Sequence, residues 1–299
     1  MSQKNIVFDS MITVSIVTYK TNLEELSRCL QSLTSSLISQ IYVIDNSHQQ
    51  YIADFCQQYA NVEYIGSDNV GYGAGHNQAL RQVLDSDKKY HLVLNSDVYF
   101  EPSVLEKICR YMDENSDVGQ LIPNTIYPNG DLQYVCRLLP TPVNLIFRRF
   151  MPKMIAKVFD HRFLLKDYDR GKAMDIPFLL GSFMFFRIDC FHKVGLFDEN
   201  IFMYMEDIDI TRRIHKYYKT LFWPYVTIVH AHKAESYKNK KMLRTHIKSA
   251  VKYFNKWGWL FDKERTRWNA QVMSAIEREL ELSSVKNKNM IISQKMAID

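Results

Sequence analysis

Strand-like and helix-like segments alternate along residues 11–112, and this alternation restricts the fold more than any other feature of the chain. Short β-branched runs such as 11–17 and 91–94 are typical of buried strands. Each is followed by apolar residues at steps of three and four, which is typical of one helix face. Four such units predict an α/β domain whose sheet is mostly parallel, with helices on both faces. Ligands of such sheets bind beyond the carboxyl ends of the strands.

The polar residues that follow the strands are therefore the first candidates for a binding site. They fall in four groups: Thr18 and Tyr19; Asp45 and Asn46; the run 69–77; and Asn95, Ser96 and Asp97. A carboxylate at a strand end, such as that of Asp97, can hold a hard divalent cation, and the cation can hold phosphates. The same residue is also common as a helix N-cap or turn residue, so both interpretations stay open.

The run 69–77 places Gly71, Gly73 and Gly75 ahead of a predicted helix. Closely spaced glycines let a backbone approach a ligand, and the helix start offers free N–H groups, although a plain strand-to-helix turn has the same composition. A dinucleotide-binding fingerprint would need its third glycine where His76 stands. The chain also lacks the Gly-Lys-Ser/Thr of a phosphate-binding P-loop. A nucleotide-dependent oxidoreductase is accordingly disfavoured.

Two clusters of titratable residues stand out in the second half. Glu206, Asp207 and Asp209 open a predicted helix, where acids complement the helix dipole but can also raise one another's pKa and supply a general base. His230 and His232 follow a predicted strand over 221–229 and share one face of it. Imidazole pairs of this kind bind metals or are merely structural.

The charge of the chain is unevenly distributed. The whole chain carries +5, but residues 233–267 alone carry +8, so the remainder sums to −3. Within this basic segment, an apolar stripe including Ile247 and Phe254 runs beside lysines spaced by four. We consider two interpretations: an amphipathic helix packed on the domain, or a helix attached to an anionic membrane surface. Nucleic-acid binding is not expected, since no such motif accompanies the charge.

The expected location is the cytoplasm, with the protein either soluble or peripheral at the inner face of the membrane. The five cysteines form no Cys-x-x-Cys pair, which fits a reducing compartment. The first ten residues lack a secretory signal pattern. The most apolar stretch, 177–186, is too short to span a bilayer.

Taken together and in order, these pieces resemble the family 2 glycosyltransferases, and among them the rhamnosyltransferase-like branch. The resemblance runs over about 11–257 and rests on eight short pieces: 17–19, 43–47, 69–77, 94–98, 181–184, 194–199, 202–209, and 229–232 with Ser236. It implies the GT-A type nucleotide-diphospho-sugar transferase fold. It also implies inverting transfer of a sugar from a nucleoside diphosphate donor to an acceptor hydroxyl.

The resemblance also implies roles for individual residues. Asp207 would be the catalytic base, and Asp97 with His230 would bind Mn²⁺ or Mg²⁺, with His232 as the alternative histidine. The donor-binding residues would be Thr18, Tyr19, Asp45, Asn69, Gly71, Tyr72, Gly73, Asn77, Asn95 and Asp97. One departure is evident: the family's Asp-x-Asp position reads Asn95-Ser96-Asp97, so the metal would have one carboxylate fewer.

The predicted organisation is a catalytic domain over 1–232, with a nucleotide-binding half at about 11–122 and an acceptor half at about 123–232. Residues 233–299 would form a basic C-terminal extension. The resemblance suggests transfer of L-rhamnose from dTDP-rhamnose to a glycan or lipid-linked glycan in surface polysaccharide synthesis. A UDP-hexose donor and a non-catalytic nucleotide-sugar-binding protein are the alternatives. The oligomeric state is not predicted.

Overall fold

The computed structural model describes residues 11–145, 151–231 and 240–296. Its strands are β1 (Ile12–Thr18), β2 (Ile38–Asp45), β3 (Val62–Gly66), β4 (Tyr90–Asn95), β5 (Val98–Tyr99), β6 (Val118–Ile126), β7 (Cys136–Arg137), β8 (Met174–Asp175), β9 (Phe178–Leu179), β10 (Phe183–Arg187) and β11 (Lys219–His230). Its helices are α1 (Leu23–Gln31), α2 (Gln50–Cys56), α3 (Tyr72–Val83), α4 (Ser103–Glu114), α5 (Pro142–Leu145), α6 (Lys153–Phe163), α7 (Asp189–Val194), α8 (Glu206–Ile214), α9 (Lys240–Trp257) and α10 (Lys263–Met296).

The central sheet has the strand order β3-β2-β1-β4-β10-β6-β11-β5, and β8 pairs with β11. The pairs among β1 to β4 and the pair of β6 with β11 are parallel. Helices cover both faces, since one apolar cluster includes α1 and α4 and another includes α3 and α7. The predicted α/β fold with a mostly parallel sheet is therefore confirmed.

The parallel register brings the predicted polar strand ends to one edge of the sheet. β1 is the central strand of this half, because it pairs with β2 on one side and β4 on the other. Thr18 stands beside Asp45, and Val17 stands beside Asn95. The chain reverses its strand order between β1 and β4, which is where α/β sheets form a ligand crevice.

β10 lies in the middle of the sheet and runs antiparallel to both β4 and β6. The sequence predicts a central strand over 178–188, and the structure places its core at Phe183–Arg187. The antiparallel direction follows from the route of the chain, which leaves the sheet at the carboxyl end of β6 and begins β10 at that same edge. Gly181 and Ser182 thereby reach the same edge as Asn95, whose N–H donates to the carbonyl oxygen of Ser182.

The C-terminal helices α9 and α10 share a core with the second half of the chain. Tyr253 and Phe254 of α9 and Trp268 of α10 are buried in one cluster with Phe222 of the sheet. The part of the apolar face of α9 around Tyr253 and Phe254 thus packs on the domain, as in the first of the two interpretations given above, while Ile247 is 38% exposed.

A buried ion pair joins α8 to the loop between α9 and α10. The Arg212 guanidinium is 1% exposed and donates to both carboxylate oxygens of Asp262 at 2.6 Å. It also stacks on Trp257, with Cζ 4.0 Å from the ring centroid. Because α8 begins with the acids of the candidate site, this pair fixes the helix that carries them.

Replacing Asp262 with alanine should lower the free energy of unfolding by about 3–5 kcal/mol, because it removes the buried partner of the Arg212 charge and leaves only the partly exposed Glu264. The matched control is Glu264→Ala. Glu264 contacts the same guanidinium at 3.2 Å but is 31% exposed, so its loss should cost less than about 1 kcal/mol. Urea denaturation measures both values. Equal losses of stability from the two substitutions would contradict the conclusion that Asp262 is the main partner of Arg212.

Candidate active site

An open cleft of about 600 Å³ lies at the carboxyl ends of β1 and β4. The two halves of the chain both line it. Six of the predicted site residues line this cleft together: Tyr19, Tyr72, Asn95, Asp97, Asp207 and His230. The sequence places these residues up to 211 positions apart, and the sheet topology brings them to one edge.

Asp97 and His230 form one side of the cleft. Oδ1 of Asp97 lies 3.3 Å from Nε2 of His230, and the His230 side chain is 4% exposed. The two residues are held together by pairing between β5 and β11, since the N–H of Ala231 donates to the Asp97 carbonyl oxygen. Backbone pairing between the two strands therefore places Asp97 and His230 next to each other.

Gln133 fixes the orientation of the His230 ring. Its amide nitrogen donates to the backbone oxygen of His230 at 2.7 Å, and its amide oxygen lies 2.9 Å from Nδ1 of the ring. A carbonyl oxygen can only accept, so the nitrogen of the amide must face the backbone and the oxygen must face Nδ1. Nδ1 therefore carries the proton, and in the neutral ring Nε2 directs its lone pair toward Asp97.

This arrangement fits a divalent cation. A carboxylate oxygen and an imidazole nitrogen are donors that Mg²⁺ or Mn²⁺ would accept, and Asp97 and His230 hold them 3.3 Å apart. A metal-ligating histidine usually donates its other ring N–H to a fixed acceptor, as Nδ1 does here. Within the part of the chain that the structure describes, no third histidine, cysteine or acid completes a cluster. Diphosphate oxygens and water would have to supply the remaining ligands.

Asp207 and Glu206 begin α8 and border the same cleft. Asp207 is 7% exposed, and its carboxylate accepts from the N–H of Gly181 at 3.0 Å and of Ile208 at 2.8 Å. Burial raises the pKa of Asp207. Burial, followed by the neighbouring charge of Asp207, raises the pKa of Glu206 further. The pair therefore holds one carboxylate ready to accept a proton near neutral pH, with its neighbour protonated.

The close approach of Gly181 to Asp207 explains why a glycine stands in the loop before β10. A Cβ atom at this position would lie 3.0 Å from Cβ of Asp207 and 3.3 Å from Oδ2. The absence of a side chain lets the backbone N–H reach the carboxylate. The 181–184 piece of the resemblance thus positions the proposed base through the main chain.

A series of polar contacts centred on the Tyr72 hydroxyl, whose single proton goes to one acceptor at a time, links the acid at α8 to the pair at β5 and β11. The Tyr72 hydroxyl lies 2.8 Å from the Gly181 carbonyl oxygen and 2.7 Å from Oδ1 of Asn95. Nδ2 of Asn95 in turn lies 3.5 Å from Nε2 of His230. Burial raises the pKa of Tyr72, so its hydroxyl stays protonated. Tyr72 is thus the residue of the glycine-rich run that lines the cleft and contacts Asn95 and Gly181.

Asp209 is separated from its two acidic neighbours. It is fully buried on the other face of α8, where it accepts from Nε1 of Trp257 at 2.8 Å and from Arg213 at 2.9 Å. Lys256 also pairs with it at 2.9 Å. The three acids of the sequence cluster therefore divide into two that face the cleft and one that anchors α9.

Several predicted donor-binding residues do not line the cleft. The Asp45 carboxylate is fully buried and accepts from Ser47, Gln49 and Tyr64, and Thr18 lies 3.3 Å from it. These contacts make Asp45 the centre of the turn after β2. Its contact with a donor base stays a prediction.

The glycine-rich run mainly packs α3 against its neighbours. The Asn77 amide bonds both the N–H and the carbonyl oxygen of Phe197. Gly71 has φ of +99° and, like Gly73, has no room for a Cβ atom, which would meet Phe202 or Phe197 respectively. Asn69 is exposed and outside the cleft lining. The roles of these four residues toward a nucleoside remain predictions.

The structure adds residues that the sequence pattern did not single out. Arg137 lines the cleft, donates from Nε to the Tyr134 carbonyl oxygen at 3.1 Å, and stacks over Phe178. Its charge lowers the pKa of Asp207, against the larger opposing effect of burial. No sequence signal marks Arg137 or Gln133, because Gln133 lies outside the named strands and helices and Arg137 ends a strand of only two residues, β7. The predicted alternative metal ligand His232 lies outside the described residues.

Across 11–145, 151–231 and 240–296, each helix is too short or too polar to cross a membrane.

Solved glycosyltransferase structures share this fold. GalNAc-T7 with UDP, GalNAc and Mn²⁺ superposes with a TM-score of 0.58 at 12% identity, over 83% of this chain and 50% of that chain. TarS 1–349 of S. aureus with UDP-GlcNAc superposes with a TM-score of 0.53 at 15% identity, over 88% and 71% of the two chains. This chain spans half the length of the GalNAc-T7 structure. At such identities the likeness shows the GT-A fold alone.

Curated relatives are similar over most of the chain. Rhamnosyltransferase WbbL of Escherichia coli K12 is 27% identical over 71% of this chain and 81% of its own. N-acetylglucosaminyl-diphospho-decaprenol L-rhamnosyltransferase of Mycobacterium tuberculosis is 25% identical over 92% of both chains. The low-salt glycan biosynthesis hexosyltransferase Agl10 of Haloferax volcanii is 26% identical over 69% of this chain and 62% of its own.

The family model for glycosyl transferase family 2 matches residues 13–195, which is more than half of the chain. This range includes β1 to β4, the Asn95–Asp97 turn and Gly181. The chain therefore belongs to glycosyl transferase family 2 and is a glycosyltransferase.

Proposed function

We propose that this enzyme transfers L-rhamnose from dTDP-rhamnose, with inversion, to a glycan or lipid-linked glycan acceptor in surface polysaccharide synthesis. The observation that carries the catalytic part is the continuous set of contacts from Asp207 through Gly181, Tyr72 and Asn95 to His230. A carboxylate with a raised pKa and a cation-binding pair thereby occupy one cleft in a fixed relation.

Asp207 is the base of this mechanism. Each carboxylate oxygen accepts one backbone N–H, from Gly181 or Ile208, so each retains lone-pair capacity for the proton of the acceptor hydroxyl. The raised pKa makes Asp207 a stronger base than an ordinary aspartate while it remains ionised near neutral pH. Removal of the proton during attack needs no covalent intermediate, so the product anomer is inverted.

Asp97 and His230 would hold Mg²⁺ or Mn²⁺, which when bound offsets the charge that develops on the leaving diphosphate. Gln133 holds the His230 ring with Nε2 toward this position. The Tyr72 hydroxyl fixes the Asn95 amide beside the pair. Arg137 adds a positive charge to the lining, which suits an acceptor bearing a phosphate.

The donor assignment rests on the relatives. Two of them are named rhamnosyltransferases, and the mycobacterial relative covers nearly the whole chain. The name of that relative also describes a lipid-linked diphosphate sugar as its acceptor. The solved structures with UDP or UDP-GlcNAc share only the fold, so they support nucleoside diphosphate sugars as a class.

A donor panel tests the proposal. The purified enzyme is incubated with Mn²⁺, a lipid-linked N-acetylglucosaminyl diphosphate, and either dTDP-L-rhamnose, UDP-glucose or UDP-GlcNAc. We expect release of dTDP to exceed release of UDP by about 10- to 100-fold, which is the discrimination that a few pocket contacts can supply. The anomeric configuration of the product, read by NMR, tests inversion.

The other outcomes separate the alternatives. Faster release of UDP would replace the rhamnose donor with a UDP-hexose while keeping the transferase. Binding of a nucleotide sugar without transfer or hydrolysis would support a non-catalytic binding protein instead. Retention of the donor's anomeric configuration would exclude single displacement by the acceptor hydroxyl.

A further inference from the structure

The loop between α9 and α10 exposes two large apolar side chains at its end. Leu260 is 78% exposed and Phe261 is 94% exposed, and the adjacent Trp259 is 37% exposed. We call residues 259–261 the apolar tip. Burying a leucine or phenylalanine side chain is normally favourable, so a tip that holds both in solvent forgoes a large stabilisation. Adjacent exposed apolar residues of this size mark an interaction surface.

The backbone of the apolar tip is rigidly held. The buried guanidinium of Arg265 donates to the carbonyl oxygens of Gly258, Trp259 and Leu260 at 3.2–3.4 Å. Gly258 has φ of +101°, and a Cβ atom there would lie 2.6 Å from the Phe261 carbonyl oxygen. The tip is therefore ordered before any partner binds, so binding costs little additional loop entropy.

The apolar tip is joined to the wall of the cleft. Arg265 also donates to the Pro140 carbonyl oxygen at 3.4 Å, and the Asn269 amide bonds the N–H and carbonyl oxygen of Leu139. The same segment continues into α5, whose last residue, Leu145, lines the cleft. The apolar tip and the active-site cleft are thus parts of one rigidly connected body, so a surface that binds the tip is held at a fixed position relative to the cleft.

The positive charge around the apolar tip indicates which kind of partner surface the tip binds. Lys263 and Arg267 are exposed on the first turns of α10, one helical turn apart and directly after the tip. Positive side chains that border exposed leucine, phenylalanine and tryptophan are the pattern of interfacial attachment to anionic lipid. A symmetric pairing of two copies would instead bring like charges together. The area that three side chains can bury is also far smaller than the roughly 800 Å² per partner that a stable protein interface needs.

We propose that residues 259–261 insert into an anionic lipid surface, with Lys263 and Arg267 contacting the headgroups. This assigns membrane contact to the loop after α9, because Ala250, Tyr253 and Phe254 of α9 itself are buried in the domain core. The benefit for catalysis, delivery of the cleft to a lipid-linked acceptor, rests on the proposed function. The attachment itself does not.

Vesicle co-sedimentation of the full chain tests the proposal. Vesicles contain phosphatidylcholine alone or with phosphatidylglycerol. The test variant is Leu260→Ser/Phe261→Ser. The matched control is Leu280→Ser/Leu282→Ser, which removes two other exposed leucines of α10, 50% and 66% exposed. We expect wild type and control to bind the anionic vesicles equally, and the tip variant to bind at least about tenfold more weakly.

Charge variants and added salt show whether the anionic headgroups contribute to vesicle binding. Lys263→Gln/Arg267→Gln should abolish the preference for anionic vesicles, and added salt should weaken wild-type binding. Binding by the tip variant equal to wild type, absence of wild-type binding, or equal loss in the control would each overturn the proposal. So would a concentration-dependent dimer that the tip substitutions abolish. Transfer to a water-soluble acceptor should be unchanged in the tip variant; if wild type transfers nothing, the proposed function fails while the vesicle result stands.

Discussion

Replacing Asp207 with asparagine is expected to lower kcat by about 10²–10⁴-fold, the range that a positioned general base contributes. The substitution keeps the shape of the side chain and removes its capacity to take the acceptor proton. Binding of the nucleotide should change little, because the contacts of Asp207 are to Gly181 and Ile208. Initial rates with saturating donor and acceptor, together with nucleotide affinity by calorimetry, measure the two effects.

Glu206→Gln is the matched control for this prediction. Glu206 lies beside Asp207 and is 5% exposed, and burial raises its pKa so that the wild-type side chain is neutral near pH 7. An amide resembles that protonated carboxyl, so we expect kcat within about tenfold of wild type. A loss as large as that of Asp207→Asn, or near wild-type activity of Asp207→Asn, would contradict the assignment of the base.

The pH dependence follows from the same pKa shift. Asp207 works in its ionised form, and burial raises its pKa above the ordinary value of about 4. Activity should therefore be lost as pH falls through the raised pKa, giving an acidic limb of kcat above the range of an exposed aspartate. This limb should be absent from the residual activity of Asp207→Asn.

The part of the fold that the sequence predicts well is the part built from local pattern. The units from β1 to α4 each show their own periodicity, and the short parallel connections leave few topologies. The ends of these strands then place Tyr19, Asn95 and Asp97 at one edge. The antiparallel β10 could not be predicted in this way, because its direction depends on the edge at which the long connection after β6 returns to the middle of the sheet.

The candidate site shows a similar division. Asp207, Asp97 and His230 stand in recognisable motifs, so the sequence identifies them before the cleft is known. Gln133 contacts His230 across 97 positions and has no motif of its own. Asp207 and Asp209 belong to one sequence pattern but point to different sides of α8, because residues two apart on a helix do not share a face. Only packing against Trp257 shows which acid is structural.

Replacing Asp97 with asparagine should remove metal-dependent activity. The charge of a divalent cation at a diphosphate contributes several kcal/mol, so we expect a loss of about 10²–10³-fold. Wild type should lose activity to a similar level in EDTA and recover it with Mn²⁺, whereas the variant should respond to neither. Wild-type activity that survives EDTA unchanged would contradict the metal assignment.

Gln133 gives this metal prediction a graded test. Gln133→Met keeps the buried volume but removes both hydrogen bonds to His230, so the ring can place its proton on Nε2, where it cannot bind a cation. Loss of such a supporting contact should weaken Mn²⁺ binding by about 10- to 100-fold. Activity should return at high Mn²⁺, because Asp97 and His230 are both still present. Gln133→Glu retains an acceptor for the Nδ1 proton and should restore part of the affinity. A change in kcat at saturating Mn²⁺ with no change in the Mn²⁺ requirement, measured by activation curves and by electron paramagnetic resonance of bound Mn²⁺, would instead assign Gln133 a purely structural role.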